Sequence, residues 1–379
     1  MTTRASICVI CLGGDKATCE LIDTVLAELQ VGLSAYQQRS LKPMIQCCYI
    51  HGDSGRDARC FEISEHQPSF RWHSETRASL SESVSPESNS TALRGDPGEQ
   101  VRSFCEFLKG VLPSSGPVHF IVVGHGVPAI GVSSVLHPVA ANHTLHDVAR
   151  SQDHLLMYDD LGHSMSLVPR LNSLTLHMCY GSSIEAICSL SAAPVQFAFQ
   201  GEMRTACLKD WLGAIAGPHF DPVEAAEAAF KAISDCPHQE PISRASAHYT
   251  NSDSLLSCLN RLGAELLCIL DVAESGVELL ARIRLRSAVA CSVDVQRFCH
   301  LIAAETAFAD ECRAAAAELS AAVDDLQFAQ LPWHHDELLG INLYFPQPGA
   351  EVRIVEQLPA KIQEQAPDWC LLLRKWQSY

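Results

Sequence analysis

Two buried-strand patterns in this chain each run into a reactive side chain beside glycine. Val118 to Gly126 (VHFIVVGHG) carries His125 at its end, and Leu174 to Ser183 (LTLHMCYGSS) carries Cys179. Continuous apolar runs of this length read as strands covered on both faces, the condition of a parallel sheet in an α/β protein. Parallel strands need a crossover connection, and the spacer between the two runs is long enough to hold one. The carboxyl ends of neighbouring parallel strands converge on one sheet edge. The pattern therefore predicts that His125 and Cys179 meet there, with the imidazole taking the thiol proton and later returning it to a leaving amine. Each motif alone is unspecific, because His-Gly often marks a turn and most of the 17 cysteines are expected to be inert core. Their order, and the small residues after each, make the pair informative. Glycine at 126 and 181 lets a substrate carbonyl approach the backbone, and the amides of Gly126 and Cys179 are the expected oxyanion donors. Ser182 to Leu190 (SSIEAICSL) reads as a helix opening just after Cys179, its N-terminus favouring the thiolate.

Charge and composition narrow the class of partner. The net charge of -17 repels phosphate backbones and anionic lipid, and no Lys/Arg cluster breaks that field, so neither nucleic acid nor a membrane surface is an expected partner. A protein or peptide substrate suits this surface better. No apolar run reaches the ~18 residues a membrane helix needs, and Ile7 to Gly14 is too short for a signal peptide. The cysteines show no disulfide-scaffold spacing, and the reading is a soluble, cytosolic protein with reduced thiols. Cys8-Val-Ile-Cys11 and Cys47-Cys48 lie inside apolar runs and read as core cysteines, not as a zinc or redox motif. His137, His143, His146, His154 and His163 have no metal-ligand spacing and read as a solvated loop, so no metal site is expected.

Along the chain, Ser6 to Leu12 is a strand ending at Gly13-Gly14, and Asp15 is placed to cap a helix over Cys19 to Leu29. Met44 to Ile50 is a second strand, and a helix from Glu99 to Val111 leads into the His125 strand. The segment 54–97 reads as a surface excursion, with Phe61, Phe70 and Trp72 as anchors. A second excursion, 127–153, joins the two reactive strands as a lid or processing loop, with Arg150-Ser151 as its most exposed basic bond. It is followed by Leu155 to Leu161 and a helix through Leu171. Pro194 to Gln200 is a further strand, and Asp221-Pro222 opens an Ala-rich helix to Ile233. The fold class is α/β, a mainly parallel sheet flanked by helices. Residues 1–245 form its catalytic domain and 246–379 a helical C-terminal subdomain, helical over 252–320, whose strands at Gly340 to Pro346 and Glu351 to Val355 return to the sheet.

Taken together, Gly124-His125-Gly126, Met178 to Glu185 (MCYGSSIE), Phe197 to Glu202 (FAFQGE), Trp211 and Gly340 to Pro346 resemble clostripain-like cysteine peptidases, relatives of gingipains, legumains and caspases. The resemblance implies a caspase-like sheet, a Cys179–His125 dyad, and a substrate pocket formed by His177, Glu202 and Trp211. It implies no organic cofactor, and calcium enters only because some members respond to it, whereas no D-x-D-x-D-G loop is present here. The family commonly has an acid two residues before the nucleophile, as the floor of a pocket for Arg or Lys. This chain has His177, so cleavage after Arg or Lys would rest on Glu202. The rival reading is a catalytically inactive caspase-like interaction module. A flavodoxin-like binder is disfavoured because Gly13-Gly14-Asp15 lacks G-x-G-x-x-G. Oligomeric state and physiological substrate are not legible.

Overall fold

β1 (Ser6–Gly13) is buried along its whole length, as its unbroken apolar run requires. The computed structural model describes residues 5–35, 43–51, 58–63, 91–93, 95–134, 155–200, 215, 220–234, 244–250, 253–272, 274–289, 291–330, 340–348 and 354–379. After β1 come α1 (Lys16–Ala35), β2 (Met44–His51), β3 (Ala58–Ile63), β4 (Thr91–Leu93) and α2 (Pro97–Val111). β5 (Val118–Val123), β6 (His125–Val127), β7 (Gly131–Ser133), β8 (Leu155–Met157), α3 (Tyr158–Ser166) and β9 (Leu171–His177) follow. Next are α4 (Ile184–Ser189), β10 (Val195–Gln200), α5 (Pro222–Ser234) and β11 (Arg244–Tyr249). The remainder holds α6 (Asp253–Val272), α7 (Glu274–Ser287), β12 (Ala288–Val289), β13 (Ser292–Asp294), α8 (Val295–Ala304) and α9 (Asp310–Leu326). It closes with β14 (Gln327–Gln330), β15 (Asn342–Tyr344), a 3-10 turn at Ile354–Gln357, α10 (Ala360–Gln365) and α11 (Pro367–Trp376).

The main sheet has the order β14-β11-β10-β9-β5-β1-β2-β3-β4. Its centre, from β10 to β2, is parallel, and both edges are completed by antiparallel strands. Alternation of side chains along β1 sends Ile7, Val9 and Cys11 to one face, where α1 and α5 pack. Cys8, Ile10 and Leu12 go to the other, covered by α2 and α3. α4 is sandwiched: Ala186 faces the sheet, while Ile184, Ile187 and Cys188 join the core of the C-terminal helices. Among the described residues no helix is long and apolar enough to cross a membrane.

The structure departs from the sequence reading at several elements. Residues 58–63 and 91–93, inside the segment read as an excursion, add two strands to the sheet edge, and Phe61 is buried there; Phe70 and Trp72 lie outside the described residues. The helix expected through Leu171 ends at Ser166, because Leu171 already starts β9. Within the helical stretch 252–320, a short hairpin, β12–β13, interrupts the helices. The strand expected to return over Gly340 to Pro346 does form at Asn342–Tyr344, but it pairs with β13 in a separate small sheet. The strand that does dock on the main sheet is β14, and Ile354–Gln357 is a 3-10 turn instead of the expected strand. The boundary placed at 245/246 falls inside β11, which is an integral strand of the main sheet.

Candidate active site

β1, β5 and β9 are consecutive in the sheet and parallel, so their carboxyl ends open on one edge. The register pairs Cys11 with Val123 and Val123 with His177, which brings the turns after all three strands to the same level. The turn after β5 carries His125, the turn after β9 carries Cys179, and the turn after β1 carries Asp15. Direct contact between the first two turns is shown at Gly126, where an added Cβ would lie 1.5 Å from the Cys179 carbonyl oxygen and 2.5 Å from its carbon. Glycine is thus required at 126 because the Cys179 backbone itself occupies the space a side chain would take. The expected close approach is real, but the carbonyl involved belongs to the protein. At 181 the constraint is also packing: a Cβ would meet the Leu176 Cβ at 2.9 Å.

The Cys179 thiol is exposed, unlike most of the other described cysteines, and no disulfide joins any of them. The next residue, Tyr180, holds a left-handed φ of 58°, which costs a non-glycine residue about 1–3 kcal/mol and must be over-determined by its surroundings. The surroundings do so. Met178 N donates to Phe199 O at 3.1 Å, Gln196 Nε2 to Gly181 O at 2.7 Å, and Asn342 N to Ser182 O at 2.8 Å. Ser182 Oγ is bonded to Ser246 Oγ at 2.6 Å and to His248 Nε2 at 3.0 Å, all three residues being buried. Burial pushes His248 down to about 3, so its ring is neutral and the cluster is a structural pin. α4 begins at Ile184 with Ser183 as its cap, Oγ accepting from Ala186 N at 3.1 Å. The helix therefore opens five residues after Cys179, not directly after it, and is short.

His125 is partly buried, its Nε2 3.4 Å from Asp15 Oδ2. Burial lowers its pKa and the Asp15 carboxylate raises it, burial being the larger effect. The contact is ion-pair range but long for a hydrogen bond, and Nε2 has no partner at full hydrogen-bond geometry. His177 is 3% exposed, its ring edge-on to Phe199 at 6.4 Å, and neither ring nitrogen has a hydrogen-bond partner. Burial holds it at about 4, so it is a neutral imidazole at physiological pH. Glu202 and Trp211, the other expected pocket residues, lie outside the described residues, as do 135–154 of the connecting loop and its Arg150-Ser151 bond. No group of three or more His, Cys, Asp or Glu side chains among the described residues is placed to hold a metal ion.

Sequence reading did not single out Gln196, Ser246, His248 or Asn342, which pin the Cys179 turn from β10, β11 and β15. Nor did it single out Glu185. This residue is 1% exposed on α4, and its Oε1 accepts from Tyr344 N at 2.8 Å, tying the helix after the Cys179 turn to the C-terminal strand. Oε2 has no partner, and burial pushes the carboxyl up to about 7. Because the folded pKa lies above the ordinary value of 4.5, the native state retains a proton that the unfolded chain gives up. This contribution to stability is full below about pH 4.5 and is lost as the pH rises to 7, by about 3 kcal/mol. The neutral buried His119, His177 and His248 act in the opposite sense as the pH falls below 6.5. The expected result is therefore a difference: going from pH 4.5 to pH 8, wild type loses stability relative to Glu185→Gln. Denaturant melts of both proteins across that range check it, and parallel curves would show that Glu185 is ionised in the fold.

No protein-family model matches the chain, and no curated protein matches it by sequence. Solved structures do match. One is described as an inactive zymogen C11 protease from Parabacteroides distasonis, with a TM-score of 0.61 at 13% identity over 98% of this chain and 99% of that one. Another is a secreted C11 cysteine protease from Bacteroides thetaiotaomicron, "iotapain", with a TM-score of 0.59 at 12% identity over 98% and 100% of the two chains. A third, a secreted C11 cysteine protease from the same organism in complex with an irreversible peptide inhibitor, has a TM-score of 0.60 at 10% identity over 97% and 98%. The fold is that of the clostripain-like C11 proteases. Coverage is nearly complete in both directions, so the C-terminal helices and the small β12-β13-β15 sheet belong to the C11 architecture as much as the main sheet does.

Proposed function

We propose that the chain is a cysteine endopeptidase acting through a Cys179–His125 dyad on protein or peptide substrates. The single observation that carries this reading is the contact at Gly126, which joins the turn bearing a half-buried imidazole to the turn bearing an exposed thiol on the C11 fold. Cys179 Sγ attacks the scissile carbonyl carbon while His125 accepts the thiol proton, and the ring then delivers that proton to the amine as the C–N bond breaks. Water hydrolyses the thioester with His125 again as base. The amides of Gly126 and Cys179 are the donors assigned to the developing oxyanion. A neighbour of the same fold that is described as bound to a peptide inhibitor supports peptide as the substrate class. That no disulfide joins the described cysteines supports a reducing, cytosolic setting. An electrophilic peptide tests the reading against that of an inactive interaction module. Labelling confined to Cys179 supports the peptidase, and a folded protein that takes no label overturns it.

The proposal extends to cleavage after Arg or Lys. His177 is neutral and buried, so it supplies no charge to a basic side chain, and Glu202, two residues beyond β10 in the sequence, is the acid assigned that role. In a fluorogenic peptide library varied at the scissile position, wild type should favour Arg and Lys, and Glu202→Gln should lose that preference by about 10-fold or more. Strong cleavage after small or acidic residues, indifferent to Glu202→Gln, would show instead that the His177 substitution has changed the specificity.

A further inference from the structure

We infer that Glu185 is a positioning residue for the Cys179 turn: with its carboxyl protonated it fastens the helix after that turn to β15, and on ionising it lets the junction open and the turn drift from His125. This role presupposes the dyad reading and concerns what holds one half of the dyad in place. β15 has two edges. On one it pairs with β13, and just beyond it Phe345 N donates to Cys291 O on that side at 3.3 Å. Alternate amides of a strand point to opposite edges, so Asn342 N and Tyr344 N face the other way, towards the chain that leaves Cys179. Asn342 N finds a backbone partner there, Ser182 O at 2.8 Å, and Ser183 pairs with Asn342 in a parallel bridge. Tyr344 N has no such carbonyl to meet, because the chain has turned into α4 and Ser183 O already accepts from Ile187 N at 2.9 Å. Glu185 Oε1 takes the carbonyl's place at 2.8 Å. The carboxyl is thus the second rung of the ladder that ties the Cys179 turn to the C-terminal strand, and a buried backbone amide depends on it.

A charge on this rung is costly. Glu185 is 1% exposed, its Oε2 has no hydrogen-bond partner, and no cation among the described residues acts on the carboxyl. The groups that face it are the Ser183 hydroxyl and four weak acids held neutral by burial: Tyr158 on α3, Tyr344 itself, Cys370 on α11, and Cys291 before β13, whose thiol is pushed up to about 12. Arg284 of α7 donates from Nε to Phe345 O at 3.0 Å and acts on Tyr344 and Cys291, not on the carboxyl. On α10, which packs against α4, Lys361 is half-buried and Glu364 exposed, and neither acts on Glu185. Burial pushes the Glu185 carboxyl up to about 7, so among these groups it is the one whose charge changes around neutral pH. Once ionised, the desolvated Oε2 is relieved only by water entering the junction or by α4 moving from β15. The route from there to the site is short, because Ser182 and Ser183 continue directly from the Cys179 turn and the Cys179 carbonyl packs against Gly126.

Glu185→Gln keeps an oxygen for Tyr344 N and cannot ionise. The ratio of wild-type kcat to that of Glu185→Gln is expected to be level below about pH 6 and to fall about 10-fold or more by about pH 9, with KM changing less, since a shift of about 1 Å between reacting groups lowers the rate by more than that. The sign follows because the protonated, well-held form of wild type is lost as the pH rises through about 7, whereas the variant has no such form to lose. A contact that only stabilised the fold would change the rate by one factor at every pH, so a ratio independent of pH overturns the inference. Hydrogen exchange in wild type reads the same point without turnover or a variant. Corrected for the intrinsic pH dependence of exchange, protection of Tyr344 N–H should drop over that range relative to Phe345 N–H, which is held by Cys291 O instead. Protection of the two amides that keeps a constant ratio overturns the inference as well. Absence of Cys179-dependent cleavage by wild type would sink the dyad reading instead, and exchange at Tyr344 would still decide what Glu185 holds.

Discussion

Cys179→Ala is expected to abolish cleavage, lowering kcat by about 10⁴-fold or more, because it removes the thiol proposed to form the acyl intermediate. His125→Ala should lose nearly as much, and the double variant little more, since nucleophile and base act as one unit. The control is Cys188→Ala. That thiol is fully buried on α4, against the C-terminal helices, so its loss removes one packed sulfur and costs about 1 kcal/mol without touching the rate. Melting curves and kcat for the four variants form the test. Comparable loss of rate in Cys188→Ala and Cys179→Ala, both folded, would mean that the exposed thiol is not the nucleophile.

Gly126→Ala should be nearly as damaging, although it adds one methyl group and removes no chemistry. A Cβ at 126 would stand 1.5 Å from the Cys179 carbonyl oxygen and 3.2 Å from its Cα, all rigid backbone. The turns after β5 and β9 must then separate by more than an ångström. Overpacking of this kind costs about 1–3 kcal/mol, and a displacement of about 1 Å between reacting groups is enough to lower the rate by about 10²-fold. The left-handed Tyr180 and the bonds from Gln196 and Asn342 prevent the Cys179 turn from relaxing freely. Two readings separate the contributions: the melting temperature, and the rate at which an electrophilic peptide labels Cys179. Full activity in a stable Gly126→Ala protein would show that the close approach does not position the dyad.

How much was legible depends on whether the signal is local. β1, β2, β5, β9 and β10 are each a continuous apolar run, and a strand buried on both faces has few other sequences available to it. His125 and Cys179 stood out because each closely follows such a run. Asp15 also follows one, and reading it only as a cap missed its second oxygen, whose target is distant in sequence. Gln196, Ser246, His248 and Asn342 offered no local signal at all. A polar residue in a strand becomes a pin only when a particular turn is brought against it, and that turn is Cys179 to Ser183. The segment 54–97 misled for a related reason: β3 is an antiparallel addition in which Arg59 and Glu62 break the apolar run, and the edge strand β4 is only three residues long.

The sequence by itself determined the mainly parallel α/β sheet, the central strands, and the two reactive residues at their ends, because burial on both faces and side-chain chemistry are properties a short segment carries alone. Only the tertiary structure decided that β1 lies beside β5, and so that Asp15 faces His125; that Cys179 backbone fills the space at Gly126; and that β14, not β15, completes the sheet. It also decided that His177 is a buried neutral ring and that Glu185 keeps a proton near neutral pH. Each of these depends on strand order, register or desolvation, which arise from contacts between segments far apart in the chain.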